Sequence, residues 1–353
     1  MSSLVEVRAS RTYTVQIGKG ILHSAGERIR QKTQAATACI VSGEHVDALY
    51  GDSLQRSLEG AGFRVLRFVH PSGERHKNLE TYGNLLGFLA RSGLTRSDLL
   101  ISLGGGVTGD LTGFAAATWQ RGVDYVQIPA SLLAMVDSSV GGKTAIDLPE
   151  GKNLAGAFWQ PLTVLCDPDL LQSLPQEELR CGSAEVLKCA VLRDALLFDT
   201  LCDDPTLASS EEVIRRCIQI KRDLVEEDEF DRGSRRLLNL GHSFGHAVEA
   251  CSDFAILHGQ AVAIGMHMIA RAAAAKGVCS AETRDRIREG LCRLGLPVET
   301  EIPGDALLAA LLRDKKRSGG SMDLVLPEAI GRCRVEKIPV EELGEWLRLG
   351  GAR

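Results

Sequence analysis

The first half of the chain alternates short apolar runs with longer amphipathic segments. Apolar runs with the character of strands lie at residues 38–41, 64–69, 99–103 and 125–128. Between them, apolar residues recur at helical spacing over residues 47–61 and 79–92. Strands that alternate with helices in this order indicate a mostly parallel sheet with flanking helices. The pattern therefore predicts an α/β domain in the N-terminal half.

From about residue 175 onward the chain consists of long segments rich in Leu, Ala, Glu and Arg. The spacing of their apolar residues predicts helices at residues 176–202, 210–226, 234–251, 258–276, 280–294 and 304–313. A hairpin at residues 322–337 and a short final helix are predicted after them. The second half is therefore expected to be mainly α-helical.

A chain of 353 residues is long for one hydrophobic core, so two domains are expected. We predict an α/β domain over residues 1–174 and a mainly α-helical domain over residues 175–353. No repeat or low-complexity linker separates the two halves. We therefore expect them to pack closely and to share a cleft, where small-molecule sites commonly lie.

Composition narrows the classes of partner and compartment. A net charge of −5 argues against a nucleic-acid or anionic-membrane partner, so an anionic ligand needs a local basic cluster. The ten cysteines never form a C-x-x-C pair, and no apolar run approaches about 20 residues. Because residues 1–20 also lack the apolar region of a signal peptide, we expect a cytoplasmic protein.

A glycine loop follows the strand predicted at residues 99–103. Gly104, Gly106 and Gly109 satisfy the G-x-G-x-x-G pattern between a strand and a helix. Glycines there let the backbone approach a pyrophosphate, and N–H groups at the helix start face the anion. A Rossmann-like dinucleotide site is one interpretation, and a tight turn without a ligand is the other.

The segment PSGERHK supplies Glu74 and Lys77 after the strand predicted at residues 64–69. An acidic side chain at such a place can hold a ribose hydroxyl, and a lysine can lie near phosphate. A solvated loop is the equally simple alternative.

Gly142-Lys143-Thr144 matches the end of a P-loop, but the full pattern requires glycine at the position of Asp137. An ATP-binding P-loop is therefore excluded. What remains is an irregular loop that presents Asp137, Lys143, Lys152 and Asn153. Two ammonium groups beside an acid and an amide suit a polyhydroxylated, phosphorylated ligand, although an ordinary surface loop has the same composition.

Three histidines lie close together in the sequence, at His242, His246 and His258. On a helix, His242 and His246 lie about 5–6 Å apart on one face. A continuous helix would separate His242 from His258 by about 24 Å, whereas each ligand of a zinc ion lies about 2.1 Å from it. If His258 shares a metal with either of the others, the chain must turn back, and Ser252-Asp253 offers the chemistry for a helix end.

A carboxylate for the same metal can come from Glu185, one helical turn before Lys188. Three N/O ligands with an open position are the arrangement of catalytic zinc. Four polar side chains also recur at intervals of four, three and four along one predicted helix, at Arg235, Asn239, His242 and His246. Apolar positions flank this polar stripe, and a solvated helix with surface histidines is the alternative interpretation.

Five long motifs resemble those of the 3-dehydroquinate synthase family, which carries out the second step of the shikimate pathway. In family order and spacing they are GGGVTGDLTGFAAATWQRGVDY, ASLLAMVDSSVGGKTAIDLPEGKNLAGAFWQP, GSAEVLK, RRLLNLGHSFGHAVEA and LHGQAVAIGM. The resemblance runs from about Val5 to Leu349. It implies an NAD-binding α/β domain joined to a helical, metal-binding domain.

The resemblance also implies roles, position by position. The metal, Zn²⁺ or Co²⁺, would be held by Glu185, His242 and His258. NAD contacts would fall on Glu74, Lys77, Gly105, Gly106, Asp110, Ala130, Ser131, Lys143 and Lys152. Substrate and catalytic residues would be Arg121, Asp137, Lys143, Lys152, Asn153, Lys188, Lys221, Arg235, Asn239 and His246, with Lys315 or Lys316 near the C-terminus. Two of the three histidines would then bind metal, and His246 would act on substrate.

Two places depart from the family pattern. Ala130-Ser131 stands where the family usually has two threonines, and Gly43 stands near a position that is often aspartate. Both places touch the cofactor in relatives, so the resemblance implies an altered affinity for NAD. Gln260 stands where glutamate is commoner, at a position that is not a ligand.

The implied reaction converts 3-deoxy-D-arabino-heptulosonate 7-phosphate to 3-dehydroquinate and phosphate, as a carbon–oxygen lyase. It combines transient NAD-dependent oxidation, β-elimination of phosphate, re-reduction, ring opening and an intramolecular aldol. Relatives are usually homodimers, so a homodimer that binds a small phosphorylated sugar acid is expected. The alternatives are a cyclase that uses sedoheptulose 7-phosphate and a metal-dependent polyol dehydrogenase that releases NADH stoichiometrically.

Overall fold

The computed structural model describes residues 3–253, 255–315 and 320–353. Its chain divides into an α/β unit and a helical unit, which consist of Met1–Leu174 with Lys221–Phe230 and of Pro175–Ile220 with Asp231–Arg353. The first boundary between the two units lies between Leu174 and Pro175. The segment Lys221–Phe230, which the sequence pattern assigned to the helical half, groups with the α/β unit.

Strands of the α/β unit form one large sheet and one hairpin. The strands are β1 (Ser3–Val7), β2 (Tyr13–Ile17), β3 (Thr37–Gly43), β4 (Arg64–His70), β5 (Leu99–Gly104), β6 (Asp124–Pro129), β7 (Lys143–Leu148), β8 (Gly151–Phe158) and β9 (Thr163–Cys166). The large sheet has the order β1-β2-β9-β6-β5-β3-β4, and β7 pairs with β8. In that sheet β1 and β2 are antiparallel and the other pairs are parallel. The prediction of a mostly parallel sheet is confirmed.

Helices cover this sheet because its central strands are apolar on both faces. The helices are α1 (Ala25–Arg30), α2 (Glu44–Val46), α3 (Asp52–Gly60), α4 (Leu79–Arg91) and α5 (Gly106–Thr118). β3 and β5 are buried along their whole length, as expected for strands of a parallel sheet. Leu85 of α4 and Leu111 of α5 pack in one buried cluster with Val41 and Leu100 of these strands.

The order of the strands reverses between β3 and β5. β4 lies on one side of β3, whereas β5, β6 and β9 follow on the other side. At such a reversal, a ligand crevice forms outside the carboxyl ends of the strands. β3 ends at Gly43 and β5 ends at Gly104, with Ser42 paired opposite Leu103. The fold therefore places the glycine loop that follows β5 at the switch point of the sheet.

The segment predicted as an irregular loop after residue 136 is ordered, and that prediction is wrong. It forms a π-helical turn, Ala134–Ser138, and the β7–β8 hairpin follows a few residues later. Its Gly and Pro residues suggested a loop, but Gly156 lies within β8. A Cβ there would lie 2.2 Å from Thr144 O, so glycine is required by the close approach of the two strands.

Helices dominate the helical unit. The helices after Leu174 are α6 (Gln176–Arg193), α7 (Ala195–Asp203), α8 (Glu211–Glu227), α9 (His242–Cys251), α10 (His258–Ala275), α11 (Ala281–Arg293), α12 (Gly304–Lys315) and α13 (Leu343–Gly350). Of these, α8 belongs to the helical unit only as far as Ile220. The predicted hairpin forms from β10 (Ser321–Ala329) and β11 (Arg332–Pro339). α10 is buried along most of its length and packs against α6, α9, α11 and α13. In the described part of the chain, the length and apolar character needed to cross a membrane are not combined in any helix.

The predicted helix over residues 176–202 is two helices. α6 and α7 meet at Asp194, whose backbone is not helical. The Asp194 carboxylate accepts a hydrogen bond from Leu197 N at 3.0 Å and so caps α7. Its side chain also pairs with Arg216 at 2.6 Å.

The predicted helix over residues 234–251 is also interrupted, so the prediction of one continuous polar stripe is wrong. A 3-10 turn spans Ser234–Asn239, and α9 begins only at His242. Gly241 separates the two with a φ of +77°, a conformation that glycine adopts readily. A Cβ at Gly241 would lie 2.7 Å from Val262 O of α10, so close packing also demands glycine there.

His267 lies on α10 in the interior, with 3% of its surface exposed and its Nδ1 2.7 Å from Val298 O. Burial lowers the pKa of His267, and the charges of Arg271 and Arg288 lower it further. In the unfolded chain this pKa returns to about 6.5, so the unfolded chain takes up a proton first on acidification. We expect the free energy of unfolding to fall below about pH 6.5, by at most about 1.4 kcal/mol per pH unit from this residue.

Urea unfolding of the wild type and of His267→Asn between about pH 5 and pH 7 measures this contribution. Asparagine offers an N–H to Val298 O but does not titrate. The free energy of unfolding of the variant should therefore fall less steeply on acidification, with a slope smaller by up to about 1.4 kcal/mol per pH unit. Equal slopes in the two proteins would mean that His267 titrates alike in the folded and unfolded states.

Candidate active site

A carboxylate and two imidazoles meet in the helical unit. Glu185 lies in the middle of α6, and His242 and His258 are the first residues of α9 and α10. Glu185 Oε1 lies 3.7 Å from His242 Nε2 and 3.6 Å from His258 Nε2, and the two ring centroids are 5.3 Å apart. The chain turns back after α9 at Ser252 and Asp253. The predicted reversal between the two histidines is therefore confirmed.

The spacing of these three atoms fits one metal ion. Tetrahedral zinc with ligands at about 2.1 Å holds the ligand atoms roughly 3.4 Å apart. His242 Nδ1 faces Leu240 O at 3.2 Å, and His258 Nδ1 faces Glu249 Oε2 at 3.3 Å. Since each Nδ1 is directed to an acceptor, each imidazole presents Nε2 toward Glu185. Two imidazole nitrogens and a carboxylate oxygen are a donor set that suits Zn²⁺ or Co²⁺.

Glycines let the three helices approach closely enough to form this cluster. A Cβ on Gly259 would lie 2.2 Å from Cys181 O, and one on Gly265 would lie 2.0 Å from Gly241 O. Cys181 precedes Glu185 by one turn of α6, so the first contact holds the start of α10 beside the ligand-bearing turn. The second contact holds α10 against the start of α9.

Gly265→Ala should destabilise the protein by about 3 kcal/mol, near the upper end of the usual cost of overpacking. The added methyl group meets backbone atoms, which cannot rotate away, so α10 must move from α9. We therefore also expect weaker metal binding. Chemical unfolding and a zinc titration measure the two effects.

Gly83→Ala is the matched control for this variant. Gly83 lies inside α4, and a Cβ there would have no other atom within 4 Å. Alanine should stabilise that helix by about 0.5–1 kcal/mol. If Gly265→Ala were as stable as Gly83→Ala, the close contact between α9 and α10 would not require glycine at position 265.

Buried charge surrounds the Glu185 carboxylate. Glu185 is fully buried and forms an ion pair with Lys188, which is 1% exposed. Burial lowers the pKa of His242 to about 3, and the charge of Lys188 adds to this effect. Burial alone would lower the pKa of His258 too, but its hydrogen bonds with Glu185 and Glu249 raise it to about 9. The two imidazoles differ because His258 lies between two carboxylates, and a metal at Nε2 replaces its proton.

The remaining residues of the polar stripe lie on the 3-10 turn and on α9. Arg235 is 1% exposed, whereas Asn239 is exposed. His246 keeps its place beside His242 across one turn of α9, with ring centroids 5.4 Å apart. Because 53% of the His246 side chain is exposed, it is accessible to a bound molecule.

Glu249 belongs to this cluster, although the sequence motifs did not identify it. It is 2% exposed, and its Oε2 lies 3.3 Å from His258 Nδ1 and 3.9 Å from His246 Nε2. The signal in the sequence is its position three residues after His246 and seven after His242. That spacing places all three on one face of a helix.

The glycine loop of the α/β unit has the predicted strand–turn–helix setting. Gly105 precedes α5, which begins at Gly106 and runs for 13 residues. Ala130 N donates to Gly104 O at 2.8 Å, and a Cβ on Gly105 would lie 3.3 Å from Ser131 Oγ. The Ala130-Ser131 segment therefore lines the loop. Backbone N–H groups of glycines at the start of a long helix suit a pyrophosphate.

Lys77 is the centre of a network of charges that reaches α5. Its Nζ lies 2.9 Å from Glu74, 3.2 Å from Asp110, 3.7 Å from Asp147 and 2.8 Å from Asn153 Oδ1. Burial alone would lower the pKa of Lys77, but the three carboxylates raise it well above its ordinary value. Burial raises the pKa of Asp110 to about 6, although Lys77 opposes this shift. Lys77 therefore stays charged, and Glu74 also pairs with Lys152, whose Nζ lies 3.6 Å from its Oε1.

This network brings together several predicted site residues from distant parts of the chain: Glu74, Lys77, Asp110, Lys152 and Asn153. Asp147 is a further member that the sequence motifs did not identify. Its carboxylate accepts a hydrogen bond from Asn153 N at 2.8 Å, across the turn between β7 and β8. The acid in DLPEGKN could have been found if the hairpin had been recognised.

Asp137 and Lys221 form another ion pair in the α/β unit. Lys221 Nζ contacts both the carboxylate and the carbonyl oxygen of Asp137, which lies in the π-helical turn. Lys143 begins β7 with an exposed side chain. Arg121 is exposed and has a φ of +66°.

Two predicted positions remain. Gly43 ends β3 at the switch point, and a Cβ there would lie 3.3 Å from Ser72 Oγ. The C-terminal lysine was predicted as Lys315 or Lys316. The side chain of Lys315 and all of Lys316 lie outside the described residues.

The structure combines two features of an enzyme that uses a dinucleotide and a metal ion. An α/β unit carries a glycine loop at the switch point of its sheet, and a helical unit carries a Glu–His–His cluster. The family model for the 3-dehydroquinate synthase N-terminal region matches residues 67–181, and the model for the C-terminal region matches residues 182–317. The chain therefore belongs to the 3-dehydroquinate synthase family.

Individual relatives extend the likeness across the chain. A 3-dehydroquinate synthase of Streptococcus sanguinis is 43% identical over 343 residues, which cover 95% of this chain and 97% of the relative. One of Streptococcus suis is 41% identical over 345 residues, which cover 96% and 97%. A 2-epi-5-epi-valiolone synthase of Streptomyces hygroscopicus, solved with NAD⁺ and Zn²⁺ bound, is 29% identical with a TM-score of 0.88 and 98% coverage of both chains.

Proposed function

We propose that this chain converts 3-deoxy-D-arabino-heptulosonate 7-phosphate to 3-dehydroquinate and phosphate, the second step of the shikimate pathway. The observation that carries the proposal is the convergence of Glu185 Oε1 with the Nε2 atoms of His242 and His258, within 3.7 Å. It occurs in a chain that is 43% identical, over 95% of its length, to a 3-dehydroquinate synthase. Loss of phosphate by β-elimination makes the reaction that of a carbon–oxygen lyase.

NAD and one divalent metal, Zn²⁺ or Co²⁺, are the proposed cofactors. The Glu–His–His donor set fits the metal, and the glycine loop before α5 fits the pyrophosphate of NAD. When bound, NAD supplies reversible hydride transfer, and the metal polarises the hydroxyl that is oxidised. A relative 29% identical to this chain was solved with NAD⁺ and Zn²⁺, which supports both assignments.

Residues of the helical unit then have separate tasks. Lys188 keeps Glu185 ionised, because the two form a buried ion pair on adjacent turns of α6. The Arg235 guanidinium is held in place by burial and can bind an anionic group of the substrate with two hydrogen bonds. Asn239 offers an exposed amide to substrate hydroxyls. His246 Nε2 can accept a proton from the substrate and return it.

Residues of the α/β unit serve the cofactor and the charged groups of the substrate. The proposed NAD contacts are Glu74, Lys77, Gly105, Gly106, Asp110, Ala130, Ser131, Lys143 and Lys152. The proposed substrate contacts are Arg121, Asp137, Lys143, Lys152, Asn153 and Lys221. Their basic side chains offset the acidic net charge of −5 where a phosphate must bind.

The test is phosphate release by the purified protein from the heptulosonate phosphate, with NAD in catalytic amount. We expect many phosphates per NAD and no net NADH. Removal of the metal with a chelator should abolish turnover, and Zn²⁺ or Co²⁺ should restore it.

Two outcomes would favour the alternatives. Turnover of sedoheptulose 7-phosphate but not of the heptulosonate would indicate the related cyclase. Stoichiometric NADH formation from a polyol would indicate a dehydrogenase. Activity that survives complete removal of metal would contradict the metal assignment.

Assembly and compartment are further parts of the proposal. We expect a homodimer, and size-exclusion chromatography with light scattering measures its mass. A reducing cytoplasm suits the ten cysteines, all of which are free thiols.

A further inference from the structure

Glu249 is a buried carboxylate with no role in the function proposed above. It lies near the end of α9 and is 2% exposed. A charged group is seldom buried to this extent unless a partner compensates it. Two imidazoles lie close to it, with His258 Nδ1 at 3.3 Å and His246 Nε2 at 3.9 Å from the same oxygen, Oε2.

We propose that Glu249 is a positioning residue, which orients His258 as a metal ligand and fixes its tautomer. The inference rests on the metal site of the proposed function. Glu249 does not touch the metal in this arrangement, because it meets the opposite edge of the imidazole from Glu185.

The geometry of His258 carries the inference. Its Nε2 lies 3.6 Å from Glu185 Oε1, and its Nδ1 lies 3.3 Å from Glu249 Oε2. A neutral imidazole has one N–H and one lone pair, on different nitrogens. With the N–H on Nδ1 and directed to Glu249, the lone pair on Nε2 faces Glu185. A metal held by Glu185 and His258 needs the lone pair on that side.

His242 shows the same principle with a different acceptor. Its Nδ1 faces the backbone carbonyl of Leu240 at 3.2 Å, and its Nε2 faces Glu185 Oε1 at 3.7 Å. Both ligand imidazoles are thus oriented through Nδ1, one by backbone and one by a side chain. A carboxylate polarises the imidazole more strongly than a carbonyl does, so it also makes Nε2 a better donor. The side-chain acceptor can be changed by mutation.

A metal on Glu185 would also act on Glu249 through His258. The two carboxylates lie at opposite edges of the His258 imidazole, Glu185 near Nε2 and Glu249 near Nδ1. A divalent metal on Glu185 and His258 would place positive charge directly on the Glu185 carboxylate. It would also polarise the His258 imidazole toward Glu249. Removing the Glu249 charge should therefore weaken the hold on the metal.

A second metal ion is the competing use of the same carboxylate. His246, Glu249 and His258 also have ligand atoms within 4.8 Å of one another. That ion would need the lone pair of His258 Nδ1, which then could not donate a hydrogen bond to Glu249. The two uses exclude each other, and they predict different numbers of metal ions per chain.

The experiment measures zinc affinity by competition with a chromophoric chelator. The proteins are the wild type, Glu249→Gln and Glu249→Leu. Loss of a partner of this kind typically weakens metal binding by 10- to 100-fold, so we expect about 10-fold for Glu249→Gln and more for Glu249→Leu. The amide retains the size and an acceptor oxygen, whereas leucine retains neither.

Asp194→Asn is the matched control. It makes the same carboxylate-to-amide change, and it removes the ion pair with Arg216 in the same unit. Asp194 lies nine residues after Glu185, about 14 Å along the axis of α6. This variant should lose some stability but bind zinc as the wild type does.

A second readout does not depend on activity or affinity. In zinc-loaded protein with ¹⁵N-labelled histidine, the His258 Nδ1–H should give a protected proton resonance in NMR spectra. That resonance should be lost or shifted strongly in Glu249→Leu and unchanged in Asp194→Asn.

The outcomes separate this inference from the proposed function. Wild-type protein that binds no metal would defeat the metal site itself. Wild-type protein that binds one zinc while Glu249→Leu binds it equally well, with the same Nδ1–H resonance, would overturn the positioning role alone. Two zinc ions per wild-type chain, with one lost in Glu249→Leu, would overturn it in favour of the second metal site.

Discussion

His242→Ala should leave the purified protein without bound metal and without measurable turnover. The substitution removes one of the three proposed ligands and leaves Glu185 and His258, which alone would not hold an ion tightly. His246→Ala should keep a full equivalent of metal but lose turnover by about 10²–10⁴-fold, the usual contribution of a general acid–base group. Metal content per chain by mass spectrometry, measured beside phosphate release, distinguishes the two variants.

The contrast follows from the different surroundings of the two side chains. His242 Nε2 lies 3.7 Å from Glu185 Oε1, whereas the carboxylate near His246 Nε2 is that of Glu249, at 3.9 Å. His246→Ala also serves as the control for His242→Ala, because both changes delete one imidazole from the same face of α9. If both variants lost metal equally, the assignment of separate roles would be wrong.

The free energy of unfolding of Lys77→Met should be about 3–5 kcal/mol lower than that of the wild type, and the variant should bind NAD poorly. The change leaves the carboxylates of Glu74, Asp110 and Asp147 around an uncharged side chain that is 5% exposed in the lysine form. Breaking a buried charge pair costs this much because the carboxylates lose the buried ammonium group that faces them. Chemical unfolding and isothermal titration with NAD⁺ measure the two effects.

Lys152→Met is the control for that prediction. The Lys152 side chain is 29% exposed, and its Nζ lies 3.6 Å from Glu74 Oε1. An ion pair with this exposure contributes about 0–1 kcal/mol, so the variant should remain nearly as stable as the wild type. Equal stability loss in the two variants would mean that Lys77 is not the centre of the network.

Part of the fold could be predicted because four strands of the large sheet carry short apolar runs. β3, β4, β5 and β6 lie where the apolar runs at residues 38–41, 64–69, 99–103 and 125–128 predicted them. β1, β2 and β9 were missed. They are only four or five residues long, and polar residues interrupt β1 and β2. Their place at one side of the sheet depends on pairing between distant segments, which local periodicity does not show.

The family resemblance supplied the members of the Glu–His–His cluster, and distances set one condition on it. His242 and His258 could share an ion only if the chain reversed between them, and the structure has that reversal. The break at Gly241 was not predictable from spacing, because intervals of four, three and four suit a continuous helix equally well. What decides it is the packing of Gly241 against α10, where it meets Gly265, 24 residues further along the chain.

The supporting acids were harder to predict than the residues they support. Glu249 and Asp147 lie within the recognised motifs, but the sequence analysis assigned no role to either. Each becomes informative only when its partner is known to be adjacent. Glu249 meets His258 across the turn from α9 to α10, and Asp147 meets Lys77 through the β7–β8 hairpin. Such contacts between distant segments depend on tertiary structure, whereas the motifs reflect local spacing.

The most direct test is anomalous diffraction at the zinc edge from crystals of the zinc-loaded protein. One strong peak per chain should lie within about 2.2 Å of Glu185 Oε1, His242 Nε2 and His258 Nε2. A peak bound instead by His246, or one that leaves any of these three side chains out of reach of the ion, would contradict the account.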